Sequence, residues 1–419
     1  MTRFSRPLLD ACTAAFAAAL PLEQPADAAL SAFFRSHPKI GQRDRAVIAD
    51  SVYAALRRRR LLERVAATQS PRRLALATWM VLLGANLREL DPWLRGDEAE
   101  WLALVKREAA APKPFEVECD LPDWAIERLR ARYDESALLA LAKGLLQSAP
   151  LDLRVNPLKI SREAALERLA ADGLRATATP YSPEGIRLKE KLAINRHALF
   201  LQGSIEVQDE GSQLLCHLVA PKRGEMVVDF CAGAGGKTLA LGALMRSTGR
   251  LYAFDISPKR LAGLKPRLAR SGLSNVHPQR LEGANDARVK RLAGKIDRVL
   301  VDAPCSGLGT LRRNPDMKWR QTPQDVAELA EKQKSILAAA ARLVKPGGRL
   351  VYATCSILEE ENRWIVEDFL ARQAQFALRP AGEVLEKGGI ELDMGEYFEL
   401  WPHRHGTDGF FAAIFERRA

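Results

Sequence analysis

The second half of this chain alternates short apolar runs with helix-length segments, and the runs end on acids. From Val207 onward, "MVVDF" carries Asp229 at its end, "LYAFD" closes on Asp255 and "RVLVD" on Asp302. "GRLVYATCS" follows a helix and a Pro-Gly-Gly turn at 346–348, and "GFFAAIFER" reads as the last strand. This alternation packs as a mainly parallel, doubly wound Rossmann-like α/β sheet. Ligands of such sheets bind outside the carboxyl ends of the strands. The three acids and Cys355 all fall at those ends.

The first of these strands runs into "DFCAGAGGKT", residues 229–238. Its Gly-Gly-Lys-Thr ending suggests a phosphate-binding P-loop, which needs G-x-x-x-x-G-K-[ST]. The first glycine of that pattern falls at position 231, which is a cysteine. The rival is a loop for adenosylmethionine, whose glycines let the backbone pass close to the methionine and ribose. An acid after the second strand then holds the ribose hydroxyls, as in dinucleotide folds, and Asp255 is placed for that. A glycine-rich loop alone does not decide between them.

Two cysteines do. "VDAPCSG" puts Cys305 just past one strand and "VYATCS" puts Cys355 just past another. A single cysteine is by default a small buried hydrophobe. Two beside a cofactor loop, each following an apolar strand, suit the methylation of a pyrimidine at carbon 5. That carbon is a poor nucleophile until a thiolate adds to carbon 6. A base must afterwards remove the carbon 5 proton so that the thiol leaves. The attacking thiol needs a lowered pKa.

With these stretches the chain resembles the Sun/RsmB/NSUN group of RNA cytosine-5 methyltransferases, especially its bacterial RsmB-like branch. "VQDEGSQL", "DFCAGAGGKT", "DAPCSGLGTLRRNPDMKW", "KPGGRLVYATCSILEEEN" and "GTDGFF" carry the resemblance, over about 150–419. It implies Cys355 as nucleophile and Cys305 as the aid to proton removal and product release. It implies S-adenosyl-L-methionine as cofactor, contacted by Cys231, Ala232, Gly233, Ala234, Gly235, Gly236, Lys237, Asp255, Asp286 and Asp302. Asp302 is also expected at the target base. The segment "GANDARVKRLAGK" around Asp286 is shorter than usual in the family, and the loop lacks the Ala-Pro that many members have before Gly-Gly-Lys. Arg312, Arg313 and Lys318 are expected to meet RNA phosphates, and Trp319 to pack. Arg260 suits either the cofactor or the helix surface.

The rest of the 419 residues supports an RNA partner. Residues 1–145 are rich in Ala, Leu and Arg, with Val47, Ile48, Val52, Tyr53 and Leu56 at helical spacing. They read as an all-helical bundle, which the resemblance implies is a NusB-like RNA-binding domain, and the run Arg57–Arg60 suits either an RNA backbone or an exposed helix end. A small α/β, RRM-like module covers 150–205, with Ser161 capping a helix that Gly173 stops. The methyltransferase domain takes 206–419. Lys and Arg number 63 against 52 acids, a net charge of +11 that favours a polyanion. The six cysteines form no C-x-x-C pair, so no metal site is expected. Reduced thiols suit the cytoplasm. The N-terminal apolar stretch, broken by Asp10, reads as a domain helix, not a secretion signal, and the longest uncharged apolar stretch, Leu74 to Leu87, is too short for a membrane span and fits a core helix. The expected product is 5-methylcytosine in small-subunit (16S) rRNA, made by a monomer. A tRNA target, or an inactive RNA-binding assembly factor, remains open.

Overall fold

The computed structural model describes residues 4–284 and 286–419. They form two compact units, one of residues up to Ser148 together with Thr310–Pro323, the other of Ala149–Gly309 and Gln324–Ala419.

The first unit is helical. Helix Gln42–Arg57 buries Ile48, Val52 and Leu56, three positions four apart that lie on one face. They join a core with Leu9, Phe16 and Leu76, and with Trp79, whose indole N–H donates to Ser51 Oγ at 3.0 Å. The arginine run is not an open basic surface. Arg57 donates to the carbonyl of Arg312, Arg58 pairs with Asp120, Arg59 with Glu63, and Arg60 with Asp123.

Lys318 and Arg312 depart from the phosphate-binding expectation, because both are buried. Lys318 Nζ pairs with the Asp120 carboxylate at 3.6 Å and donates to the carbonyls of Arg57, at 3.0 Å, and Asp120. Burial pushes its ammonium down to about 8 although Asp120 opposes the shift. Trp319 packs as expected and donates to the carbonyl of Leu56 at 2.7 Å.

The second unit holds two sheets. Strands β1 (Leu151–Val155), β2 (Ala176–Ala178), β3 (Gly185–Leu188) and β4 (Ile205–Val207) pair antiparallel in the order β2-β3-β1-β4. Helix Arg162–Ala171 follows β1, with Ser161 Oγ accepting from Ala164 N. The larger sheet comprises β5 (Met226–Asp229), β6 (Arg250–Asp255), β7 (Val276–Arg280), β8 (Ile296–Asp302), β9 (Val344–Thr354), β10 (Phe376–Arg379), β11 (Phe398–Leu400) and β12 (Phe410–Arg417). Its order is β10-β12-β9-β8-β5-β6-β7, with β11 on β12.

Strands β5 to β9 run parallel, and β12 lies antiparallel to β9. The chain starts at β5 and builds outward both ways, so the order reverses between β5 and β8. Side chains alternate between two apolar layers. Val227, Leu251, Leu300 and Val351 face one, and Val228, Tyr252, Val299 and Tyr352 the other. Burial on both faces explains the apolar runs of β5, β6, β8 and β9, whereas the edge strand β7, largely exposed, is polar.

One boundary differs from the sequence reading. The Pro-Gly-Gly at 346–348 is no turn before the strand but a bulge within β9, where pairing jumps from Ile296↔Val344 to Arg298↔Arg349. Gly347, at φ 72°, supplies the left-handed residue that lets strand pairing resume.

Candidate active site

The loop after β5 turns back under the end of β6. Ala232 N donates to Phe254 O and Gly235 N to Ala232 O, both at 2.8 Å. Gly233 and Gly235 have φ of 56° and 83°. They differ in surroundings: a Cβ on Gly235 would lie 2.1 Å from Leu264 Cδ1, whereas one on Gly233 meets nothing within 4 Å. Gly235 is therefore demanded by packing, and Gly233 faces open space. Helix Gly236–Leu244 begins here. Fully buried Arg154 holds its first turn by donating to Gly236 O at 2.7 Å, and Arg267 holds the loop through Ala234 O at 2.8 Å.

Asp255 closes the loop from the neighbouring strand. Its carboxylate accepts from Gly233 N at 2.8 Å and Ser257 N at 2.7 Å. Each carboxylate oxygen keeps further lone pairs for hydroxyl donors. The next residue, Ile256, is 67% exposed, an uncovered apolar surface beside the acid. Cys231 is different: its thiol packs in the apolar layer with Phe230 and Phe254, and burial pushes it far up.

Asp229, at the end of β5, is almost fully buried. Thr238 Oγ1 donates to its Oδ2 at 2.7 Å, but Oδ1 is buried without a hydrogen-bond partner. Burial pushes this carboxyl up to about 7. An orphaned carboxylate oxygen costs free energy until a donor reaches it. Together these residues could hold adenosylmethionine, with the orphaned Asp229 oxygen open to its ammonium, the bare face of Gly233 allowing close approach, Asp255 within reach of ribose hydroxyls and Ile256 offering an apolar surface to its base.

Lys237 projects from the loop helix to Asp302 at the end of β8, Nζ to Oδ2 2.7 Å. Burial disfavours the ammonium, but the Asp302 charge outweighs it and raises Lys237 above its ordinary value. The ring of Phe410 lies 5.9 Å from Nζ.

The two cysteines meet because β8 and β9 are neighbours in register. Asp302 lies opposite Ala353, and Ala303 N donates to Ala353 O at 2.8 Å. The loops leaving the two strands therefore start side by side, and Cys305 Sγ lies 3.4 Å from Cys355 Sγ. The Cys305 thiol is pushed well up, first by its hydrogen bond to the Cys355 sulfur, then by burial, then by the charges of Cys355 and Glu361. Gly309 N donates to Cys355 O, and Gly409 N to Gly309 O, both at 2.8 Å. A Cβ on Gly309 would come within 2.3 Å of Gly409 O, so "SGLG" and "GTDGFF" carry glycine where three backbones touch.

Asp286 accepts from Glu282 N at 2.9 Å and Arg288 N at 2.8 Å and pairs with the Arg288 guanidinium. These donors hold its carboxyl below the usual range. Its side chain is engaged as the cap of helix Ala287–Arg291. Arg260 stands exposed in the first turn of helix Pro258–Ser271. Asp229, Ile256 and Glu361 were not singled out as site residues from sequence. An acid closing the strand before the glycine loop, and an apolar residue directly after the ribose acid, were the available signals for the first two. Among the described residues no group of three His, Cys, Asp or Glu could hold a metal, and no helix is long and apolar enough to cross a membrane.

A sheet whose order reverses beside a glycine loop, with an acid at the end of the next strand, is a Rossmann-like α/β fold, and a methyltransferase homologue from Pyrococcus horikoshii shares it with a TM-score of 0.58 at 29% identity, over 71% of this chain and 100% of that one. Residues 216–416 match the family described as 16S rRNA methyltransferase RsmB/F, and residues 121–195 its ferredoxin-like domain. A probable ribosomal RNA small subunit methyltransferase B of Synechocystis is 38% identical over 298 residues, 71% of this chain and 66% of that protein. Its Bacillus subtilis counterpart is 33% identical over 299 residues, with the same shares. The match thus spans slightly less than two thirds of these relatives' own length. The crystal structure of PH0851 superposes with a TM-score of 0.76 at 27% identity, covering 98% of each chain. The chain belongs to the RsmB/F (RsmB/Sun) methyltransferase family.

Proposed function

We propose that this protein is an S-adenosyl-L-methionine-dependent RNA cytosine-5 methyltransferase that acts on small-subunit rRNA in the cytoplasm. The observation that carries the reading is the 3.4 Å approach of Cys305 and Cys355 at the carboxyl ends of adjacent parallel strands. The names of the curated relatives favour rRNA over tRNA.

The Cys355 thiolate adds to carbon 6 of the cytosine, and the displaced electron pair makes carbon 5 nucleophilic. The cofactor supplies an electrophilic methyl group to that carbon. Cys305 then removes the carbon 5 proton, the carbon 5–carbon 6 double bond re-forms, and Cys355 leaves as thiolate. The two sulfurs are coupled in a way that suits this order. The Cys305 thiol lies against the Cys355 sulfur at 3.4 Å, and this contact is lost when that sulfur is bonded to carbon 6, which leaves the Cys305 sulfur facing the substituted ring. Asp302, fixed by Lys237, is the acceptor for the base's amino group. The target base must leave its stack to reach the thiol, which favours an unpaired nucleotide.

The test is methylation of protein-free small-subunit rRNA by the purified chain, with the modified base mapped by sequencing. Cys305→Ala is expected to accumulate a covalent protein–RNA adduct on a denaturing gel, and the double variant with Cys355→Ala to show none. Normal turnover by Cys305→Ala without an adduct would overturn the role assignment. Methylation of tRNA in place of rRNA would overturn the substrate.

A further inference from the structure

The carboxylate of Glu361, fully buried in the short helical turn Glu359–Glu361, lies between the two cysteine loops. Ser306 N donates to its Oε1 at 2.7 Å and Gln333 Nε2 at 3.0 Å. The hydroxyls of Ser306 and Ser356 each donate to its Oε2 at 2.5 Å and lie 3.2 Å from each other. These serines directly follow Cys305 and Cys355. No lysine or arginine among the described residues pairs with Glu361.

A buried carboxylate held only by neutral donors is a poor way to gain stability, since apolar groups of the same shape would pack at lower cost. It is a good way to fix geometry, because one acceptor with two oxygens binds both loops at once. The surroundings hold the carboxylate in turn. Gln333 Nε2 also donates to Pro304 O at 2.9 Å. The buried Tyr352 hydroxyl donates to Glu361 O at 2.6 Å and contacts Gln333 Oε1 at 3.1 Å. Asn362 Nδ2 donates to Ser356 O at 3.1 Å, and Asn362 Oδ1 accepts from Thr354 Oγ1 at 2.6 Å.

We propose that Glu361 is a positioning residue that clamps the Cys305-Ser306 and Cys355-Ser356 dipeptides together and so sets the spacing of the two thiols. The inference rests on the reading of Cys355 and Cys305 as nucleophile and helper for its catalytic consequence, but the spacing itself can be measured without RNA. Phenylarsine oxide condenses with two thiols, losing water, only when they lie side by side. The full chain should bind one equivalent through Cys305 and Cys355, and either single cysteine-to-alanine variant should lose that binding.

Glu361→Ala should weaken this bridging by at least about tenfold and lower kcat by up to about 10²-fold, the scale of an ångström-level misplacement. The KM for RNA and the affinity for S-adenosylhomocysteine should stay near the parent values, while the melting temperature falls because the donors on Ser306, Ser356 and Gln333 lose their acceptor. Glu361→Gln keeps the shape and one acceptor oxygen and should restore much of the bridging. If Glu361→Ala unfolds, the double variant Ser306→Ala, Ser356→Ala cuts the same clamp and gives the decision. Unchanged arsenical bridging in a folded clamp variant would overturn the proposal, whatever the RNA activity. A fall in bridging only in parallel with cofactor affinity would overturn it too. Loss of bridging on Glu361→Ala, with a parent chain that bridges but methylates no RNA, would leave the clamp standing and sink the functional reading instead.

Discussion

Gly233 and Gly235 have similar backbone angles but opposite surroundings, so alanine at each should fail in a different way. At φ of 56° and 83°, alanine pays for the left-handed conformation in both places, about 1–2 kcal/mol. At Gly233 that is the whole intramolecular cost, because the new methyl meets nothing within 4 Å. At Gly235 the methyl lies 2.1 Å from Leu264 Cδ1, and Leu264 is itself buried in the core beneath the sheet. Overpacking of that kind adds about 1–3 kcal/mol. Gly235→Ala should therefore melt below Gly233→Ala by roughly 2–12 °C, at about 2–4 °C per kcal/mol for a unit of this size. Cofactor binding should rank them the other way once stability is accounted for. The Gly233 methyl enters the space that a ligand held by Asp229 and Asp255 would occupy, so S-adenosylhomocysteine affinity by calorimetry should fall at least about tenfold, the equivalent of about 1.4 kcal/mol. Equal melting temperatures for the two variants would refute the packing argument. Unchanged affinity in Gly233→Ala would refute the placement of the ligand.

Asp229→Asn should stabilise the ligand-free protein while weakening the cofactor. Asp229 has a folded-state value of about 7 against an ordinary 3.8, so the folded protein binds more protons between those values and stability falls as pH rises through that window. Asparagine escapes the penalty and still accepts from Thr238, which should gain on the order of 2–4 kcal/mol above pH 7 and little near pH 4 in urea titrations. A gain independent of pH would count against burial as the cause. Ile256→Asp removes an exposed side chain, so melting should barely change while S-adenosylhomocysteine affinity drops by about 1–2 kcal/mol; equal affinity would remove Ile256 from the site. Lys318→Ala leaves the Asp120 carboxylate buried without its closest ammonium and should cost about 3–5 kcal/mol in urea unfolding. Adding Asp120→Asn should recover part of that, whereas strict additivity would show that the pair is not coupled.

The strand-end acids and the paired cysteines were legible because they depend on local pattern plus one topological rule. An apolar run ending in an acid, repeated with helices between, already puts Asp255, Asp302, Cys305 and Cys355 at the same edge of a sheet. What escaped depends on partners distant in sequence. "LRRNPDMKW" has the composition of a solvent-facing basic loop, and nothing in it shows that Lys318 meets the Asp120 carboxylate and the carbonyl of Arg57. The same holds for Arg57–Arg60, whose charges are taken up by Asp120, Asp123, Glu63 and a backbone carbonyl. Glu361 is one of three successive glutamates, and only the folded chain distinguishes the one that turns inward. The Pro-Gly-Gly has the residue types of a turn, but β8 continues opposite it and converts the extra residues into a bulge.

The order of the strands explains why the site needs residues from so much of the chain. Asp255 and the glycine loop stand at the ends of β6 and β5, whereas Cys305 and Cys355 stand at the ends of β8 and β9. In the order β9-β8-β5-β6 these are the two sides of one point of reversal. The Lys237–Asp302 pair spans it, joining the loop helix after β5 to the end of β8 at 2.7 Å. A methyl donor on one side and an acceptor base on the other would meet across this ion pair. Neither half of the sheet contains both partners, so the reaction depends on the β5–β8 register, Asp229↔Leu300. A one-residue slip there would turn Asp302 to the opposite face of the sheet. Lys237 would lose its carboxylate, and Cys305 would be carried away from the cofactor loop even if each loop kept its own shape.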